Sequence, residues 1–102
     1  MKNTYKILWT PQAEEDLEGT INYLEENFSE KEIRRLLNEL RKYLDAILEN
    51  PLSFKLSEFR DVRKVTVLKY NTLYYQVVGE NIEILSFFSN RQNPDKRHLI
   101  SL

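Results

Sequence analysis

The chain contains no cysteine. That excludes disulfide staples and thiolate metal sites. It has one histidine, His98, so a site built from several imidazoles is excluded as well. Two glycines are too few for a Gly-rich phosphate loop. No apolar run approaches the roughly 20 residues of a membrane span. Lys2 makes the N-terminus basic, but neither an apolar segment nor a small-residue cleavage site follows. No secretory signal is therefore expected, and the cytoplasm is the expected compartment. A strong excess of either charge is also missing. With 15 basic and 16 acidic residues the net charge is −1, which argues against a generally cationic nucleic-acid binder. No metal and no cofactor is expected.

What is present describes an ordinary globular chain. Its 102 residues are 41% hydrophobic and 30% charged, which suits one domain over 1–102 with one real core. The charges are unevenly spread. Acids outnumber bases from Lys2 to Asn50. The balance turns basic from Arg60 to Arg97, with Arg63, Lys64, Lys69, Arg91 and Lys96. On that count an anionic partner is expected to meet the C-terminal half.

"YKILWT" at 5–10 alternates, with Tyr5, Ile7 and Trp9 on one side, and reads as a strand. Thr10 is placed to cap a helix that Pro11 opens. Ala13, Leu17, Ile21, Leu24 and Phe28 recur at helical spacing as its apolar stripe. Ser29 and Glu32 form a capping-box pattern for a second helix, ended by Asn50-Pro51. So short a link predicts a helical hairpin. An irregular stretch precedes three strands, 62–68, 70–78 and 81–89. Their links, around Lys69 and at Gly79-Glu80, are short enough for an antiparallel meander. The predicted fold is α+β, in the order β-α-α-β-β-β, an antiparallel sheet with the helical hairpin on one face.

Period-two reading divides the sheet. Val65, Val67, Leu73, Tyr75, Ile82, Ile84 and Phe88 are expected under the helices, with Trp9 anchoring the first strand to the first helix. Lys64, Thr66, Tyr74, Leu85 and Phe87 fall on the other face, and Arg91 continues it in parity. Leu68, Tyr74, Leu85 and Phe87 would then form an exposed apolar patch, the expected partner-binding surface. The paired acids Glu14/Glu15 and Glu25/Glu26 read as solvated helix charge. Arg63, Lys64, Lys69 and Arg91 are the cations that could hold phosphates or stabilise developing charge. Arg91 stands out because turn-forming Asn90 and Asn93-Pro94 flank it.

"WTPQAEEDL" at 9–17, "LKYNTLYYQV" at 68–77 and "ILSFFSNRQNP" at 84–94, in this order, resemble the RelE/ParE toxin family of bacterial type II toxin–antitoxin modules, and its ParE-like, plasmid-stabilisation branch above all. The resemblance spans nearly the whole chain. It implies a cytoplasmic growth inhibitor held inactive in a hetero-oligomer by a cognate antitoxin, whose N-terminal part binds operator DNA. The toxin itself would meet that DNA only indirectly and would touch no membrane. The RelE-type branch cuts mRNA on the ribosome with basic residues and no metal. The ParE-type branch poisons DNA gyrase and breaks no bond itself. In a ribonuclease, Arg91, Lys64 and Arg63 would be the candidate catalytic residues. Asn71 follows Tyr70 where that branch has an arginine, and Thr66 stands where a second lysine would be expected. These departures favour the ParE-like reading and lean against an enzyme. A ribosome-dependent ribonuclease is the alternative, and a degenerate toxin kept as a binding subunit is a third.

Overall fold

Thr10 and Pro11 open the first helix as expected. The computed structural model describes residues 4–90. In it the Thr10 hydroxyl accepts from the Ala13 amide at 3.2 Å, which satisfies one of the free donors of the first turn. The elements are β1 (Lys6–Trp9), α1 (Pro11–Asn27), α2 (Glu30–Glu49), β2 (Arg63–Val67), β3 (Asn71–Val78) and β4 (Asn81–Ser89). The order β-α-α-β-β-β is the one expected. Phe28 and Ser29 alone separate the helices. The capping box differs: no side-chain bond caps at Ser29, and the Glu32 amide donates to the Ser29 backbone carbonyl at 3.0 Å.

The strands order as β1-β4-β3-β2. β2, β3 and β4 form the expected antiparallel meander. β1 pairs with β4 in parallel, Ile7 opposite Ile82 and Trp9 opposite Ile84. The sheet is therefore mixed rather than wholly antiparallel, because the helical hairpin carries the chain over one face before it returns. Gly79 takes φ +61° in the two-residue turn between β3 and β4, where a side chain would be strained. At the β2–β3 turn Leu68 takes φ +54°, and the Asn71 side-chain amide donates to the Val67 carbonyl at 3.2 Å.

Both helices cover one face. Ala13 and Leu24 from α1 and Leu36, Leu40 and Ile47 from α2 pack on Val65, Val67, Leu73, Tyr75, Ile82 and Ile84. One register shift corrects the expected division of β4. Tyr75 lies opposite Ile84, but Tyr74 lies opposite Ser86, so Leu85 is an extra residue. A one-residue slip sends each later side chain to the other face. Phe87 consequently joins the main core, and Phe88 joins a second cluster with Val62 and Tyr74, against Phe59 and Leu85.

Candidate functional site

The bulge in β4 is tied to α1. The Asp16 carboxylate accepts from the Ser86 hydroxyl at 2.9 Å, the Phe87 amide at 3.1 Å and the Gln12 side-chain amide at 2.8 Å. Asp16 is buried, and so is Thr20, whose hydroxyl donates to the Asp16 carbonyl. The inward face of α1 thus runs Ala13, Asp16, Thr20, Leu24. Leu17 and Ile21 of the expected stripe are turned aside and half-buried, and Phe28 is exposed. The helix rotates because a carboxylate must reach the bulge; its apolar cost is the partial exposure of two aliphatics.

That rotation creates a trough. On the α1 side Trp9, Leu17 and Ile21 line it, with Glu14, Glu15, Glu18 and Glu25 along the same wall. Leu37, Leu44 and Leu48 line it with Ile7 and the same Trp9 on the α2 side. Leu37 is 40% exposed. Trp9 does pack on the main core, but only in part, and it marks the middle of the trough.

The expected patch of Leu68, Tyr74, Leu85 and Phe87 is not an exposed surface. Tyr74 and Phe87 are 1% and 2% exposed. Leu68 packs against the main core and Leu85 against the second cluster. The physical reason is twofold. The bulge takes Phe87 under the helices, and the segment before β2 folds back over the other face. There the Ser57 amide donates to the Val62 carbonyl at 2.7 Å. Phe59 meets Tyr74 edge-on at 5.6 Å between ring centroids.

Among the described residues the candidate cations are not brought together. Arg63 and Lys64 are neighbours in an extended strand, so they leave opposite faces. Arg63 donates to the Phe54 carbonyl at 2.6 Å, beside Tyr75. Lys64 pairs with Glu58 at 3.6 Å, and the Tyr74 hydroxyl donates to the same carboxylate at 3.5 Å. Thr66 is exposed with no charge to offer, and Asn71 is buried and spends its amide on the turn. Arg91 lies outside the described residues, as does His98. Burial pushes the Tyr75 phenol up to about 12, partly offset by Arg63. Its hydroxyl donates to the Pro51 carbonyl at 2.7 Å.

Residues 7–94 match the model of the ParE toxin of type II toxin–antitoxin systems. The chain belongs to the ParE toxin family. Its fold is shared with a chain of the chromosomal ParDE toxin–antitoxin system from P. aeruginosa, at TM-score 0.72 and 18% identity, over 86% of this chain and 98% of that one. It is shared with the YoeB dimer from Staphylococcus aureus at TM-score 0.58 and 21% identity, covering 81% and 93%. It is also shared with the E. coli DinJ–YafQ complex at TM-score 0.57 and 13% identity, covering 85% and 94%. No curated relative matches significantly. Two features of this ParE-family toxin are not legible from strand periodicity. One is Asp16, detectable as a carboxylate at helical spacing between Ala13 and Thr20. The other is a net-basic stripe on α2, visible only when charge is counted by helix face rather than along the chain.

Proposed function

We propose that this ParE-family toxin acts by seating on a cellular target, DNA gyrase in the first instance, without cutting RNA, and that a cognate antitoxin neutralises it. The observation that carries the reading is the dispersal of the sheet's cations. Charge stabilisation in RNA cleavage needs several donors aimed at one place. Arg63 and Lys64 diverge, and each is already engaged with a chain group. Arg91, two residues past the end of β4, is the residue proposed to meet the target.

For the antitoxin, the trough over Ile7 and Trp9 supports a docking place. A segment that folds on binding gains its stability by completing such a half-finished core. Similar structures include the ParDE system and the DinJ–YafQ toxin–antitoxin complex. Operator DNA would then be reached through the antitoxin alone. The test is induced expression with and without the product of the adjacent reading frame. Filamentation with DNA damage, relieved by co-expression, is expected. Rapid translation arrest with cleaved mRNA would replace the reading with the ribosome-dependent ribonuclease.

A further inference from the structure

The outward faces of the two helices carry opposite charge. On α1, Glu14, Glu15, Glu18 and Glu25 share one exposed side. On α2, Lys31, Arg34, Arg35, Asn38, Arg41 and Lys42 recur at spacings of three and four along one face, which stays net basic with Glu32 and Glu39 beside them. Arg34 and Lys42 pair only with Glu30 and Glu39 of their own helix, at 3.7 and 3.0 Å. Among the described residues no ion pair joins the two stripes. Each spans about 16 Å, at about 1.5 Å per residue. Because the helices are antiparallel and joined by two residues, Glu25 lies about level with Lys31, and Glu14 with Lys42.

We propose that this hairpin face binds a second copy of the chain through charge. A two-fold axis parallel to the helices and midway between them lays α1 of each copy over α2 of the other, antiparallel. Height along the axis is kept by that rotation. Glu14 and Glu15 therefore come over Lys42 and Arg41 of the partner, and Glu25 comes over the partner's Lys31. The contact is isologous and closes as a dimer. A nucleic acid fits the same face worse. Laid along α2, its phosphates would pass within about 10 Å of the α1 acids, about one Debye length at 0.1 M salt, so the repulsion is damped but not abolished. The whole chain carries a net charge of −1. The partner that suits both stripes at once has one acidic and one basic ridge, and a second copy supplies both. This inference is independent of the target that the toxin meets, but its α1 acids line the trough proposed for the antitoxin, so the two contacts share that wall.

Exposed ion pairs are individually weak, so the dimer is weak and salt-sensitive. Sedimentation equilibrium of the full chain should show self-association at about 0.01 M salt that weakens at least about tenfold towards 1 M. Two triple variants carry the sharper test: Glu14→Lys/Glu18→Lys/Glu25→Lys, with two net-basic stripes, and Arg34→Glu/Arg35→Glu/Arg41→Glu, with two net-acidic ones. All six side chains are exposed, so both should fold, which circular dichroism checks. Each alone should be monomeric, and an equimolar mixture should form a heterodimer. Either variant associating as the wild type does, or a mixture that stays monomeric, would overturn the proposal. So would a wild-type monomer at low salt that binds duplex DNA or RNA through α2, which would make the stripe a polyanion site.

Discussion

Removing the Asp16 carboxylate should be among the most damaging single changes outside the aliphatic core. In Asp16→Ala the Phe87 amide loses its acceptor at 3.1 Å and the Ser86 hydroxyl loses its own at 2.9 Å, both buried. A bond to a charged acceptor is worth about 1.5–3 kcal/mol, and an orphaned buried donor costs its desolvation. The amide is fixed in the strand and bears the larger loss, whereas the hydroxyl can rotate. Gln12 is exposed and turns to water. Deleting the charge also removes its own burial cost, which limits the total to about 3–4 kcal/mol. Against a domain stability of about 5–15 kcal/mol that is a large fraction. Thermal melts should fall by more than about 10 °C, and urea midpoints should fall with an unchanged slope. Asp16→Asn keeps one oxygen for the bulge and should lose about 1 kcal/mol. A cycle with Ser86→Ala should show coupling of at least about 0.5 kcal/mol. If Asp16→Ala melts within a degree or two of wild type, the carboxylate does not hold the bulge, and the rotation of α1 needs another cause.

Tyr75 should make the fold sensitive to alkali. Its phenol is held at about 12 when folded and titrates near 10 when unfolded, so above pH 10 the unfolded chain loses the proton first. Stability should fall by up to about 1.4 kcal/mol per pH unit between those values, and Tyr75→Phe should flatten that slope in urea titrations. Phe87→Ala should cost about 3–5 kcal/mol, because Phe87 fills the main core. Phe88→Ala should fall at the lower end of that range, since the segment around Phe59 can settle into the gap; equal or reversed losses would contradict the bulged register. Lys64→Ala should change the melt by less than about 1 kcal/mol, because its pair with Glu58 is half-exposed.

The helices and strands are legible because their signals are local. Thr10-Pro11, the apolar spacing of α2 and Gly79 each state a start, a face or a turn within a few residues. The parallel pairing of β1 with β4 is not local, since it depends on which edge of the meander the returning chain meets. The faces of β4 are legible only as far as Ile84. Beyond it the extra residue Leu85 reverses the parity, and nothing in "ILSFFS" marks a bulge. The side chain that satisfies it lies seventy residues away, at Asp16. The same distance explains the misplaced partner surface. Tyr74 and Phe87 are aromatic and look like contacts, but each is covered by an element remote in sequence. The trough arises where α1 turns its aliphatics aside for a carboxylate, which apolar periodicity alone cannot show.

The central question is whether the chain binds its target or cuts RNA. Primer extension on ribosome-bound mRNA in a purified translation system, with the purified chain added, reads this out. Full-length transcripts are predicted at every concentration that arrests growth when the chain is expressed. Discrete new 5′ ends that need the ribosome and vanish in Lys64→Ala or Arg91→Ala would contradict it.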